Sequence, residues 1–536
     1  MPIVRRSPGK TPRAFSNSDH IGETMDKGLT RLLPVGAALA AIAIAGGIIV
    51  QRALADDSGD LIVPTLYGEL QGKSLQTTDA WLGIPYARAP VGARRWQPPQ
   101  PPEKWDGVKP AFQFGAACMQ LLPGKGAEAA LADGPMSEDC LTLNVWRPKQ
   151  SSQSLPVMVW VHGGAFRLGS SSLALYNGEA LAAKGVVVVS INYRLGPLSV
   201  FPHPALIQDT TRPINFGLLD QIAALSWIKR NIASFGGNPD NVTIWGESAG
   251  GASVGYLMAS PLSAGLFNKA IIESGALDLP EPGRQQAQAE LKTMLPGDLW
   301  SKNAQQLRAL PATELLHLPL SKTAVMPVID GVSLKEKTRS AFAAGHIHKV
   351  PLLIGSNNDE AGFFPPQWSA SVPEKLGDLW PQAKALTDGY GTGRDELRAA
   401  QIATDKFATL NTRAQADAAA VLMPTWRYQF SYVSPADRGR VEGAIHTAEI
   451  PYVFGNLNTL PQVTAEDHRL AQTLMMRWVQ FARSGDPNAP ELPHWPRWQP
   501  DGDTLWSIGN QGEKPIKEPD AALLDFLQQH ARFEMN

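Results

Sequence analysis

The sequence predicts an α/β fold in which a large, mostly parallel central sheet is flanked by helices. Three observations carry this reading. Val157-Met158-Val159-Trp160-Val161 and Gly185-Val186-Val187-Val188-Val189 are apolar runs without polar alternation. Such runs suit strands buried on both faces, as in a parallel sheet covered by helices. Strand and helix signals alternate through residues 155–275, the pattern of α/β construction. Finally, Val242-Thr243-Ile244-Trp245 runs into Gly246-Glu247-Ser248-Ala249-Gly250-Gly251, a strand followed by a tight turn and small residues that open a helix.

The chain has 536 residues, 43% of them hydrophobic and 18% charged, which fits a globular body with a sizeable core. Its net charge of −2 and the lack of long charged runs argue against nucleic-acid binding through bulk electrostatics. No CxxC or His/Cys cluster suggests a structural metal.

Taken in order, the chain begins with an uncharged apolar segment, Leu32–Val50, preceded by Lys27 and Arg31 and followed by Ala53-Leu54-Ala55. Small residues three and one places before a break are what a signal peptidase accepts, so residues 1–55 are expected to be a signal peptide cleaved after Ala55. Translation starting at Met25 would leave a leader of the usual shape. The alternative is an uncleaved N-terminal anchor, since the run is just long enough to span a bilayer. Residues 56–536 are expected to form a single domain that is periplasmic or secreted, or tethered to a membrane if the segment stays. Export bears on the two cysteines, Cys118 and Cys140: a bond between them would close a surface loop and persist in an oxidising compartment. Two separate buried thiols are the other reading.

From residue 58 short strands and turns lead into the Pro-rich stretch Ala89–Pro102, an extended loop. A strand is expected after the charged turn at Glu138-Asp139, through Trp146. Asn215–Gln221 opens a helix with Ile222, Leu225, Ile228 and Ile232 on one side, and Ala270–Glu273 and Val350–Gly355 are further strands. Arg284–Leu295, Asn303–Leu310 and most of 365–440 read as helical. They are expected to be insertions over the sheet's C-terminal edge that wall a substrate gorge. Asp467–Ala482 is a long amphipathic helix, and Trp495–Trp506 closes the body.

Gly246-Glu247-Ser248-Ala249-Gly250 fits Gly-x-Ser-x-Gly, the turn that lifts a nucleophilic serine between strand and helix. Gly251-Ala252-Ser253-Val254-Gly255 fits the same pattern, but no strand precedes Ser253, which would lie inside the helix that Ser248 begins. A serine needs a base, usually a histidine, and a carboxylate that holds the base's tautomer. If the order is serine, acid, histidine, the candidates are His317, His346, His348, His446, His468, His494 and His530. Upstream, His162-Gly163-Gly164 directly follows a buried strand, and a glycine pair there can turn its amides toward a developing oxyanion. Glu247 reads as structural, pointing under the turn. Phe166, Tyr193 and Trp245 read more readily as core than as gorge lining.

These stretches resemble the type-B carboxylesterases, the cholinesterase/carboxylesterase group of α/β hydrolases. Leu82–Ala87, Ser137–Leu141, His162–Gly164, Asn192–Gly196, Phe235–Pro239, Gly246–Gly251 and Asp359-Glu360 match in family order, and the resemblance covers nearly everything after residue 58. It implies an α/β-hydrolase fold and a serine hydrolase of small or medium carboxylic esters, with no metal and no organic cofactor. Gly355–Gly362 stands where the family has its acid, which makes Glu360 the implied acid. Ala361 replaces a common glycine there, so Asp359 is the alternative. Ala444-Ile445-His446-Thr447-Ala448-Glu449 stands where the family has its histidine, with Thr447 in place of glycine. The implied triad is therefore Ser248, Glu360 and His446, the implied oxyanion donors are the amides of Gly163, Gly164 and Ala249, and the cysteine pair matches the family's first disulfide. His468 and His494 lack such a context and read as surface residues. Two other readings use the same residues: a non-catalytic binding protein on this fold, and a serine hydrolase or acyltransferase acting on amides or thioesters.

Overall fold

A computed structural model describes residues 61–122, 134–149 and 154–530, apart from 208, 210, 277–278, 322, 388–393, 501 and 503. The expected leader lies outside the described residues.

An eleven-stranded sheet organises the fold. Its strands are β1 (Lys73–Ser74), β2 (Thr78–Pro85), β3 (Thr142–Pro148), β4 (Leu155–Val161), β5 (Val187–Ile191), β6 (Gly237–Glu247), β7 (Lys269–Glu273), β8 (Leu352–Asn357), β9 (Thr425–Ser431), β10 (Thr504–Gly509) and β11 (Gly512–Lys517). The spatial order is β11-β10-β9-β8-β7-β6-β4-β5-β3-β2-β1. Strands β4 to β10 run parallel to their neighbours in that order. The sheet turns antiparallel only toward its edges, at β3, β2 and β1 on one side and β11 on the other.

The unalternating runs have a direct cause. Val157, Val159 and Val161 of β4 pack into one core with Val187, Val189, Val242 and Ile244. Met158 and Trp160 of the same strand pack into a second core with Val188, Trp245 and Ile271. Helices α1 (Phe216–Asn231) and α2 (Ala249–Ala259) cover the first face, supplying Leu225, Ile228, Val254 and Leu257. Helix α3 (Ala465–Ser484) covers the second with Leu474, Met475, Trp478 and Phe481. With both faces dry, every position of the strand must be apolar.

Helix α3 starts two residues before the expected Asp467. Thr464 caps it: the Thr464 amide donates to Asp467 Oδ2 at 2.8 Å, and the Asp467 amide donates back to the Thr464 hydroxyl. The expectation that 365–440 is mainly helical needs correction at Thr425–Ser431. This segment is β9, a central strand between β8 and β10. Its aromatic residues Trp426, Tyr428 and Phe430 recur at every second position, the period of a strand.

The small residues of the turn after β6 are fixed by close approach. A Cβ on Gly250 would overlap the Val161 carbonyl oxygen, and one on Gly246 would meet backbone of Val161 and Gly250. Because both neighbours are backbone, no rotamer change relieves the clash. Gly250→Ala is expected to destabilise the fold by about 3 kcal/mol or more, seen as a lower urea midpoint with an unchanged slope. A midpoint within experimental error of the parent would contradict the close packing.

Candidate active site

The register of the sheet brings the candidate residues together. Gly246 pairs with Val161, so the loop after β4 lies beside the turn after β6. Glu247 pairs with Glu273 and Glu273 with Gly355, so the ends of β6, β7 and β8 stand in a row. Crevices at the carboxyl ends of parallel strands are where ligands bind in such sheets.

Ser248 sits at the N-cap of α2 with φ +57° and ψ −125°, a strained conformation for a residue with a side chain. Its amide donates to the Glu273 carbonyl at 3.0 Å, which latches the turn to β7. Ser248 is half-buried, whereas Ser253 is buried inside α2. The Ser253 hydroxyl donates to the Ala249 carbonyl and accepts from Gln221 Nε2, so both its hydrogen-bonding roles are internal.

His446 is buried and held by its Nδ1, which lies 2.5 Å from Glu360 Oε2. Glu360 is held in turn on its other oxygen: the Ser274 hydroxyl donates to Oε1 at 2.7 Å and the Asn357 amide at 2.8 Å. Ser274 itself has φ +44°. The loops carrying acid and histidine are tied together by the Asp359 amide on the Ala444 carbonyl, the Ala444 amide on Asn358 Oδ1, and Asn357 Nδ2 on the Ile445 carbonyl. The alternative acid, Asp359, has its carboxylate against the amides of Gly362 and Gly443, and burial pushes it up to about 6. Thr447, where the family pattern has glycine, has φ +75°. His468 and His494 are exposed.

Glu247 departs from its expected place under the turn. Its Oε1 lies 3.1 Å from His446 Nε2, the nitrogen opposite Glu360, and has no aligned hydrogen-bond partner among the described residues. Sequence reasoning also missed Glu449, which accepts from Asn357 Nδ2 at 2.7 Å, and Glu273, which accepts from the Trp478 indole at 2.6 Å. The one available signal was position: Glu247 and Glu273 end adjacent buried strands. Burial pushes the carboxyls of Glu247, Glu273 and Glu449 upward, Glu449 to about 7. Burial alone would lower His446, but the facing carboxylates of Glu247 and Glu360 outweigh it and carry the imidazole up to about 9. Glu247 and His446 therefore bear on each other: the carboxylate raises the imidazole and the imidazolium draws the carboxyl down against its burial.

That pair has a measurable consequence. A histidine acting as base must be neutral, so kcat/KM should rise with pH through the histidine's titration. Removing the Glu247 charge removes an upward influence. Glu247→Gln is expected to shift the acid limb of the kcat/KM profile from near 9 toward 6.5, read in a pH-stat. An unmoved limb would mean that Glu247 does not govern the histidine.

The loop after β4 is unusual backbone. Gly164, Ala165 and Phe166 have φ of +105°, +52° and +57° in succession. A Cβ on Gly163 would meet the Glu247 carbonyl at 2.8 Å and Ser248 Cβ at 3.0 Å, so this glycine is pressed against the turn that carries the serine. His162 anchors the loop from behind. Burial lowers it to about 4, leaving it neutral, with Nδ1 2.9 Å from the Gly163 carbonyl. Tyr193 stacks on His162, ring centroids 4.5 Å apart, and its hydroxyl donates to the His162 carbonyl. Tyr193, Trp245 and Phe166 are all core residues; Phe166 also belongs to the strained loop and packs against Tyr256. Ala249 is the first residue of α2, whose free amides make an electropositive helix end.

Aromatic rings enclose the histidine. Phe363, Phe364 and Phe407 lie 5.5, 5.8 and 6.2 Å from His446 between ring centroids, and Trp368 packs tilted against Phe364 and edge-on against Phe407. Phe407 comes from a π-helical turn, Asp405–Thr409, inside the longer helix that runs on to Ala420. Such turns often mark functional positions. Cys118 and Cys140 form a disulfide.

The sheet order and the loops at its C-terminal edge define an α/β hydrolase, and comparisons with known proteins agree. The carboxylesterase family model matches residues 59–379 and 391–526. Among curated relatives, the para-nitrobenzyl esterase of Bacillus subtilis (strain 168) is 38% identical over 82% of this chain and 92% of its own. The fumonisin B1 esterase of Sphingopyxis macrogoltabida is 35% identical over 87% and 89%. A solved thermophilic para-nitrobenzyl esterase superposes with a TM-score of 0.76 at 36% identity, covering 87% of this chain and 99% of that one. The chain belongs to the carboxylesterase family, in its type-B branch. It is an enzyme that hydrolyses carboxylic esters, and its substrate is a small-molecule ester.

Proposed function

We propose that hydrolysis runs through a Ser248–His446–Glu360 triad and an acyl-enzyme. The observation that carries this is His446 held on Nδ1 by Glu360, with Nε2 turned to the residue beside Ser248. Ser248 attacks the ester carbonyl as His446 accepts its proton. Glu360 keeps that imidazole in the right tautomer and stabilises the imidazolium. The amides of Gly163, Gly164 and Ala249 receive the oxyanion. The imidazolium then protonates the departing alcohol, and water, activated by the same histidine, releases the acid.

The ester is small or medium in size, with an apolar group against the rings of Phe363, Phe364 and Phe407. Relatives named for para-nitrobenzyl, fumonisin B1 and cocaine esters show how varied the substrates of this branch are, so the particular ester follows from the walls of this site. Residues 56–536 act as one catalytic domain after export and cleavage of the leader. The disulfide supports an oxidising compartment.

The test is pre-steady-state release of p-nitrophenol from acetate, butyrate and octanoate esters. A burst equal to the enzyme concentration, with the trapped acyl group mapped to the peptide containing Ser248, is expected. Linear release, or an acyl group elsewhere, would overturn the assignment. Mass spectrometry of the purified chain reads the leader: an N-terminus at Asp56 is expected, and an intact Leu32–Val50 segment would favour the anchor.

A further inference from the structure

A second chamber lies along the helix that begins at the nucleophile. It encloses about 350 Å³, and Ala252, Gly255 and Tyr256 of α2 form one wall. These residues stand four, seven and eight places after Ser248, which is the spacing of one helix face. At 1.5 Å per residue the chamber runs from about 6 to 12 Å beyond the serine. Gly275 also lines it, directly after the Ser274 that holds Glu360. Through Ser274 the chamber's wall is continuous in sequence with the residue that holds Glu360.

Its far wall is polar. Lys337 and Arg339 line it and are exposed to solvent, which places them at its mouth. Asn411 and Gln415, both more than nine-tenths buried, line its inside. The Asn411 Oδ1 is taken by Arg339 at 3.3 Å, which leaves its amide hydrogens available. The Gln415 Oε1 is buried with no hydrogen-bond partner among the described residues. A buried amide without a partner is costly, and its ends interchange by a simple flip, so it can offer a donor to whatever enters. Among the described lining residues Glu281 is the carboxylate: the Thr338 amide and hydroxyl donate to its two oxygens at 2.9 and 2.5 Å, and its charge faces Lys337. The charged side chains among the described lining residues are thus Lys337, Arg339 and Glu281, two positive against one negative, with the amides of Asn411 and Gln415 beside them.

We propose that this chamber selects esters carrying a carboxylate on a medium-length arm, which Lys337 and Arg339 attract and the amides of Asn411 and Gln415 bind. The inference rests on Ser248 being the nucleophile, since the chamber is measured from it. A carboxylate is favoured over a neutral polar group because both charges at the mouth are positive and Arg339 presents a guanidinium suited to a planar anion.

The experiment compares matched esters. On the acyl side these are 4-nitrophenyl half-esters of glutaric, adipic and suberic acids against the pentanoate, hexanoate and octanoate. On the alcohol side they are the acetates of 4-hydroxyphenylacetic acid and of its amide. At low ionic strength the parent should favour the charged member of at least one pair fivefold or more in kcat/KM. Lys337→Met with Arg339→Met, and separately Gln415→Leu, should cut that ratio by at least fivefold. The ratio is the readout, so a general loss of fold or activity cancels. Equal or lower kcat/KM for every charged ester, or a ratio unmoved by the substitutions, overturns the proposal. Calorimetric Kd values of the same pairs on the Ser248→Ala protein separate the two ideas. Residual hydrolysis there would count against Ser248, whereas equal Kd values would count against the chamber.

Discussion

Ser248→Ala is expected to lower kcat for p-nitrophenyl butyrate by about 10⁵-fold or more, while the thermal midpoint stays within a degree or two of the parent. The two halves come from separate features. Without the hydroxyl no acyl-enzyme forms, and what survives is the catalysis that the Gly163–Gly164 loop and binding give to attack by water. Stability is retained because the alanine inherits the same positive φ and the same amide bond to the Glu273 carbonyl. Ser248→Gly provides the contrast. It is equally inactive, but it relieves a positive-φ strain of about 1–2 kcal/mol, less about 0.5–1 kcal/mol for glycine's extra freedom in the unfolded chain. A glycine variant that gains stability alongside an alanine variant that does not would show that the serine's backbone is held under strain for function. Substantial activity in either variant would exclude Ser248 as the nucleophile.

Glu360→Gln should cost about 10³–10⁴-fold in kcat with little change in KM. Oε1 of Glu360 accepts from the Ser274 hydroxyl and the Asn357 amide, so the oxygen of a glutamine must stay on that side. A flip would set its NH₂ against the Asn357 N–H. The NH₂ is then forced onto His446 Nδ1, which must accept rather than donate. The histidine proton moves to Nε2, and the ring can no longer take the serine's proton. Ser274→Ala should be milder, because it removes one of two bonds to Oε1 and leaves the carboxylate on the histidine. If Glu360→Gln kept near-parent activity while Asp359→Asn did not, the acid would be Asp359.

Much of this was legible in the chain, for local reasons. The turn at Ser248 is announced by β-branched residues before it and glycines around it, since strand propensity and close backbone approach are both short-range properties. Glu360 and His446 could be singled out only through resemblance, because nothing near either one encodes their pairing. Strand β9 was hidden in a stretch rich in helix signals, although its aromatic alternation was present at Trp426, Tyr428 and Phe430. Glu247 was misjudged because a residue inside a turn has no readable direction until the neighbouring loop is placed. Its Oε1 meets His446 only because the 444–449 loop is tied to Asn357, Asn358 and Asp359.

The sequence by itself determined the α/β class, the strand–turn–helix that carries Ser248 and the glycine pair at 163–164. Each depends on residue type over a few neighbouring positions. The tertiary structure alone decided which carboxyls surround His446, that Ser274 and Asn357 hold Glu360, and that a cavity lined by Lys337 and Arg339 opens one turn along the helix from Ser248. Those features join residues up to two hundred positions apart, such as Glu247 with His446, and only the register of adjacent strands and the loops at their ends brings them into contact.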